Sequence, residues 1–175
     1  MRRNAYVLAS IGLAVGSILG IAGTATNSPG PRGLAWGIDG LALVMASSIL
    51  AIEHVRANQD ALASGFLVFT VGQGLILSTA AAPLAGAAPT FGAGVGLWAV
   101  ALLMISIPRV FPLVVRLLGI ASALLFSITA AGIFWGESLT ATSAPLPSLA
   151  YPVLVATMLG WIWSFWRKGY LSAGR

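Results

Sequence analysis

The sequence predicts an all-α membrane protein in which one bundle of six transmembrane helices takes up the whole chain. First, 58% of the 175 residues are hydrophobic and only 7% are charged, with a mean hydropathy of +0.96. A soluble domain carries about 25% charged residues. Second, the chain divides into six apolar stretches, each close to the roughly 20 residues that a helix needs to cross a bilayer. Apolar surface on this scale is expected to face lipid.

The first apolar segment covers residues 5–25. Arg2 and Arg3 precede it, and Gly23-x-Ala25 resembles a small-residue cleavage site, so a secretory signal peptide is the alternative. The apolar stretch of about 20 residues is longer than the roughly 7–15 residues of a signal-peptide core. We therefore expect a retained transmembrane helix.

The other five segments are separated by short breaks rich in proline and small residues. Proline in such a break ends one helix and suits the first turn of the next. These segments cover residues 34–55, 61–82, 90–107, 112–135 and 149–166. They leave no stretch for a soluble domain, so we expect a single domain over residues 1–175.

The basic residues predict the orientation, because loops rich in lysine and arginine stay in the cytoplasm. If the chain begins in the cytoplasm and crosses six times, only Arg32 lies outside. The basic residues that lie inside are Arg2, Arg3, Arg56, Arg109, Arg116, Arg167, Lys168 and Arg175. We expect both termini in the cytoplasm of a bacterial-type inner membrane. The net charge of +5 is then a topology signal, and no nucleic-acid partner is expected, because the basic residues form no run.

The composition excludes most kinds of metal and catalytic site. The chain has no cysteine and one histidine, His54, which excludes thiolate, iron–sulfur and multi-histidine sites. Its four acids, Asp39, Glu53, Asp60 and Glu137, are too few for a carboxylate di-metal cage. The sequence also lacks a Gly-x-Ser-x-Gly elbow, a phosphate loop, a dinucleotide-binding pattern and a His-Glu-x-x-His motif. We expect no metal, no cofactor and no enzymatic activity.

Three glycines of the first segment, Gly12, Gly16 and Gly20, recur every four residues. Glycines at this spacing line one helix face and let a neighbouring backbone approach closely. The pattern predicts helix packing, either within the bundle or between protomers.

Asp39 is the most informative single residue. It lies about 7 Å inside the outer end of the second segment, counted at 1.5 Å per residue. A carboxylate in that position costs on the order of 3 kcal/mol on insertion scales, so it should face protein or water. On the third segment, Ser78 and Thr79 are predicted at the same depth, and Gln73 lies deeper. We expect these four residues to form a substrate-binding or pore site in the outer half of the bundle. The alternatives are a packing carboxyl near the interface and a single interhelical amide bond.

A second polar group, Glu53, His54 and Arg56, is placed in the cytoplasmic loop between the second and third segments. An acid beside an imidazole could relay protons or gate a path near physiological pH. A solvated loop with local ion pairs has the same pattern and is the favoured interpretation, because exposed pairs contribute only about 0–1 kcal/mol.

Two functions of different classes are consistent with these features. The first is a transporter or channel for a small, neutral or weakly polar solute, in which a working channel is expected to need a homo-oligomer. The second is a non-catalytic accessory or assembly subunit that binds other membrane subunits, which the short loops and small-residue helix faces favour. Both place the chain in a lipid bilayer.

Overall fold

The computed structural model describes the backbone of residues 2–172 and the side chains of residues 4–167. This part of the chain forms six helices, which confirms the predicted all-α class and the predicted number of helices. They are α1 (Arg2–Ala25), α2 (Pro29–Val55), α3 (Asp60–Ser78), α4 (Leu84–Ser106), α5 (Leu113–Phe134) and α6 (Ala150–Ser172). Among the predicted cytoplasmic charges, the side chains of Arg2, Arg3 and Lys168 and the whole of Arg175 lie outside the described residues.

Five of the helices, α1 to α5, are long and apolar enough to span a membrane. The helix α6, which contains two tyrosines and three tryptophans, is not among these five. The prediction of apolar helices of membrane-spanning length is therefore confirmed for the first five segments.

Two helices begin earlier than the proline-rich breaks indicate. The helix α2 begins at Pro29 instead of residue 34, and α4 begins at Leu84 instead of residue 90. Pro29 and Pro31 lie in the first turn of α2, where a backbone N–H has no helical partner to lose. Pro89 lies inside α4, close enough to its start that the helix continues through it.

The six helices form a closed ring in chain order. Each helix packs against the next one along the chain, and α6 packs back against α1. Consecutive helices run in opposite directions, as the contacts of Gly12 with Ala42 and of Gly23 with Trp36 show for α1 and α2. The connections 26–28, 79–83 and 135–149 therefore share one end of the bundle, here called the distal end. The other end, where α1 begins, is called the proximal end.

The glycines of α1 are used inside the bundle. A Cβ added to Gly12 would lie 2.8 Å from the carbonyl oxygen of Ala42, and a Cβ added to Gly16 would overlap the side chain of Leu43. A Cβ added to Gly20 would overlap the side chain of Tyr151 in α6. The absence of these three side chains lets α1 approach α2 and α6 at backbone distance.

Aromatic side chains fill the centre of the ring. Trp98 of α4 stacks on Phe69 of α3, with ring centroids 5.3 Å apart. Trp161 of α6 meets Phe66 and Phe69 edge-on, with centroids 5.3 and 6.3 Å away. The contacts continue toward the proximal end through His54, Phe111 and Phe165. This aromatic column, from Trp98 to Phe165, is a packed core between the two ends of the bundle.

Candidate functional site

A cavity of about 60 Å³ lies inside the ring at the distal end. All six helices contribute to its wall, together with the α3–α4 and α5–α6 connections. The side chains that carry hydroxyl, carboxyl or aromatic groups are Thr24, Trp36, Asp39, Thr79, Phe91, Trp98, Phe126, Thr140 and Tyr151. Among the described residues of the wall, Asp39 alone carries a formal charge.

Asp39 lies in the third turn of α2 and is 5% exposed. Its Oδ1 has no hydrogen-bond partner among the described residues. Glycine leaves room for this oxygen, because a Cβ added to Gly16 would lie 3.1 Å from it. The carboxyl group is therefore buried between α1 and α2, and Asp39 also lines the cavity.

Tyr151, at the start of α6, is the polar neighbour of this carboxyl. Its hydroxyl interacts with the carboxyl of Asp39 and donates a long hydrogen bond of 3.4 Å to the carbonyl oxygen of Gly16. A Cβ added to Gly20 would overlap the same hydroxyl. Gly16 and Gly20, members of the glycine ladder of α1 (Gly12, Gly16 and Gly20), therefore leave room for the carboxyl of Asp39 and the phenol of Tyr151 beside the cavity.

Aromatic rings form much of the remaining wall. The ring centroid of Trp98 lies 5.3 Å from that of Phe126 and 6.3 Å from that of Tyr151. Helical side chains lean toward the N-terminus of their helix, and α4 begins at the distal end, so Trp98 leans back toward the cavity. Its indole Nε1 is buried and has no acceptor among the described residues.

Gln73 lies below the cavity and is not part of its wall. The contact of Gly40 with Leu77 fixes the register of α2 and α3, and it places Gln73 about 7 Å farther from the distal end than Asp39 at 1.5 Å per residue. Gln73 is fully buried, and neither atom of its amide has a hydrogen-bond partner in the described structure. An amide of this kind has four hydrogen-bonding positions to satisfy.

The two hydroxyl residues at the end of α3 point in different directions. Thr79 lines the cavity, and its hydroxyl donates to the carbonyl oxygen of Ile76 at 2.7 Å. Ser78 is exposed, and its hydroxyl donates to the carbonyl oxygen of Leu75 at 2.6 Å. Consecutive helical residues are rotated by about 100°, so similar depth does not bring both to the cavity. Of the four predicted site residues, the structure brings together Asp39 and Thr79, with Gln73 below them and Ser78 outside.

The predicted cytoplasmic gate residues lie at the proximal end. The placement of Glu53 and His54 in a solvated loop is corrected by the structure, because α2 continues to Val55 and both side chains are buried, at 4% and 3% exposure. Glu53 Oε1 accepts a 2.8 Å hydrogen bond from Nη1 of Arg56, whose side chain is 60% exposed. The ring of His54 packs edge-on against Phe66 at 5.2 Å. Asp39 and this group are separated by about 21 Å along α2, so they do not form one site.

Sequence reasoning did not include Tyr151 or Trp98 in the site. Tyr151 comes from a helix far along the chain, and its role depends on a contact with Gly20 that no local pattern indicates. The signal that could have found Trp98 is its position well inside its segment, away from the membrane interfaces where tryptophan is usually enriched.

Comparisons with protein-family models, with curated proteins and with solved structures found no match to this chain. Among the described side chains, no three histidine, cysteine, aspartate or glutamate residues come together as a metal-binding group. Function is therefore inferred from the cavity and the residues around it.

Proposed function

We propose that this chain is a six-span protein of a bacterial-type cytoplasmic membrane and that it moves a small solute across that membrane. Five helices of membrane-spanning length and composition support the membrane assignment. Large apolar side chains are exposed along the helices, among them Ile18, Leu41, Val114, Leu124 and Phe134. The basic residues support cytoplasmic termini, because Arg32 is the only one that the sequence places at the distal end.

The cavity around Asp39 is the observation that carries the transport proposal. Ionisable groups inside a membrane bundle are costly and mark substrate or ion paths by default. Here the group faces a space of about 60 Å³, which is about the volume that two water molecules occupy in the liquid. A space of this size suits a solute of a few heavy atoms.

Movement beyond the cavity requires a rearrangement of the aromatic column. Trp98 lies between the cavity and Phe69 of α3. Gln73 is one helical turn from Phe69 on the same helix. We propose that Gln73, with its unpartnered amide, is the next polar group that a solute meets after Asp39. Access then alternates between the two ends, within one chain or within a homo-oligomer.

Flux measurements in proteoliposomes test this proposal. Purified protein is reconstituted, and uptake of four probes is followed: urea, glycerol, methylammonium and acetate. We expect at least one probe to enter faster than in protein-free vesicles, and Asp39→Asn and Gln73→Leu to abolish that excess. Glu137→Gln is the matched control, because Glu137 is exposed at the distal end. Full uptake by both site variants, in correctly inserted protein, contradicts the proposal.

The accessory-subunit function is the second candidate, and the packed aromatic column favours it, because a bundle closed at its centre does not conduct in this conformation. Native mass spectrometry of the protein taken gently from its membranes separates the two. A homo-oligomer supports transport, whereas a fixed stoichiometry with other polypeptides supports an accessory role.

Water access gives a second discriminator. The chain contains no cysteine, so Asp39→Cys and Gln73→Cys provide single labelling sites without further engineering. A transporter should allow a water-soluble thiol reagent to reach both positions in membranes. In a scaffold both positions should stay unlabelled.

A further inference from the structure

We infer that the cavity at the distal end binds a small organic cation, of the class of methylammonium and other short protonated amines. This inference deepens the proposed function by naming the substrate class, and it rests on that function only for the transport step. It also changes the expected solute from a neutral to a cationic one. Four properties of the cavity lead to it: charge, hydrogen-bonding polarity, aromatic walls and size.

The charge of the wall is unbalanced. Asp39 contributes a carboxylate, and no basic residue lines the described cavity. The nearest cation on the same helix is Arg32, about 10 Å from Asp39 along α2, and its guanidinium lies over the ring of Trp36. Arg56 and Arg116 lie at the proximal end, where Arg56 pairs with Glu53 and Arg116 donates to carbonyl oxygens at the end of α4. A bound cation supplies the missing charge.

Two threonine hydroxyls of the wall are acceptors toward the cavity. The hydroxyl of Thr24 donates to the carbonyl oxygen of Gly20 at 2.9 Å, and that of Thr79 donates to the carbonyl oxygen of Ile76 at 2.7 Å. The hydroxyl of Tyr151 is engaged by the carbonyl oxygen of Gly16 and by the carboxyl of Asp39. Since the hydrogens of the two threonine hydroxyls are already used, their oxygens offer lone pairs to the cavity. An ammonium group has three donors and no acceptor, so it complements the carboxyl of Asp39 and these two threonine oxygens, and it leaves the buried Nε1 of Trp98 without an acceptor.

The aromatic rings suit a cation as well. Trp36, Trp98 and Tyr151 line the same cavity as the carboxylate, and a cation over such a ring face is attracted by its quadrupole. One cation already uses this chemistry at the rim, where the guanidinium of Arg32 lies 5.5 Å from the ring of Trp36.

The size of the cavity limits the cation to a few heavy atoms. Its volume is about 60 Å³, well below the roughly 150 Å³ of a cavity that takes benzene. Methylammonium fits this limit, and tetramethylammonium is expected to be too large.

A binding measurement tests the inference separately from transport. Equilibrium dialysis of radiolabelled methylammonium is carried out with the full chain in lipid nanodiscs. We expect saturable binding that ethylammonium displaces and that methanol, a neutral molecule of the same size, does not. Asp39→Asn, which keeps the side-chain shape, should weaken binding at least tenfold, whereas Glu137→Gln should leave it unchanged. Equal displacement by methanol, or wild-type affinity in a folded Asp39→Asn variant, overturns the inference.

Arg32→Gln gives a second test with a predicted sign. Arg32 lies about 10 Å from Asp39 along α2, so its positive charge repels a bound cation, and its removal should tighten methylammonium binding roughly twofold to tenfold. Weaker methylammonium binding in a folded Arg32→Gln variant overturns the cation assignment, because removal of a nearby positive charge should favour a cation held at Asp39. Binding without uptake into proteoliposomes contradicts transport alone, and uptake of a neutral probe without methylammonium binding contradicts the cation class alone.

Discussion

Two carboxylates are buried on the same helix, and they differ in what balances their charge. Asp39 and Glu53 are 5% and 4% exposed, and they lie about four turns apart on α2. Each has one oxygen without a hydrogen-bond partner among the described residues. Glu53 has a cation beside it, because Arg56 donates to its other oxygen at 2.8 Å. Asp39 instead has the hydroxyl of Tyr151 and a cavity.

This difference shows how burial alone fails to identify a functional acid. A buried carboxylate that is paired with a cation of its own chain has little remaining charge to attract a ligand. The pair of Glu53 with Arg56 instead stabilises the end of α2. A buried carboxylate without a cation beside it interacts strongly with a cation that binds. Until a cation binds, the uncompensated charge lowers the stability of the folded protein. On this ground we assign a structural role to Glu53 and propose Asp39 as the ligand-binding residue.

The largest expected effect comes from closing the space beside Asp39. In Gly20→Ala the new Cβ overlaps the hydroxyl of Tyr151, so the phenol must move into the cavity. We expect methylammonium binding to fall at least tenfold. Overpacking of this kind costs about 1–3 kcal/mol, which lowers the thermal midpoint by roughly 2–12 °C in a chain of this length.

The control for this substitution is Gly37→Ala, because a Cβ on Gly37 has no atom within 4 Å. Alanine is the better helix former by about 1 kcal/mol, so the midpoint should stay level or rise. Both variants are measured by thermal unfolding in the same detergent. Equal behaviour of the two would show that the glycine ladder of α1 does not shape the cavity.

Two substitutions are expected to have intermediate effects on the free energy of unfolding. Arg56→Gln removes the cation beside Glu53, and Asp39→Asn removes the charge of the other carboxylate. Arg56→Gln leaves Glu53 buried without its cation. Because the guanidinium is largely exposed, we expect a loss of up to about 1 kcal/mol in the free energy of unfolding. Asp39→Asn removes an unbalanced charge, and its stability should be equal to that of the wild type or higher.

Chemical denaturation in mixed micelles measures both values, and Arg109→Gln serves as the control, because Arg109 is exposed at the proximal end. A greater loss of stability in Asp39→Asn than in Arg56→Gln would reverse the assignment. Asp39 would then be a packing carboxyl, as one interpretation of the sequence holds.

The parts of the structure that were predictable follow from single-residue rules. Six apolar segments predict six helices, because a spanning helix has a fixed minimum length. A carboxylate inside an apolar segment predicts a polar surrounding for Asp39, because its burial is costly wherever the helix lies. The rise per residue also gives the depth of Thr79 relative to Asp39 without any knowledge of packing.

The parts that were not predictable depend on the rotation of helices about their axes. Ser78 and Thr79 have similar depth, yet only Thr79 faces the cavity, because the packing of α3 against its neighbours sets which side faces inward. Tyr151 reaches the cavity through a contact with Gly20, 131 residues earlier in the chain. Neither the rotation of α3 nor this long-range contact has a local sequence signal.

The smallest expected effect tests the rotation of α3 directly. Thr79→Val keeps the shape of the side chain and removes an acceptor oxygen from the wall of the cavity. One hydrogen bond contributes about 0.5–1.5 kcal/mol, so methylammonium binding should weaken roughly twofold to tenfold. Ser78→Ala removes a hydroxyl at the same depth that points away from the cavity, and its binding should equal that of the wild type. Equal weakening in both variants would place the inward face of α3 elsewhere and separate Thr79 from the carboxylate. Weaker binding in Thr79→Val alone means that the depth and the rotation of α3 together determine which of its residues line the cavity. The ligand at Asp39 is then also bound by an acceptor from a second helix.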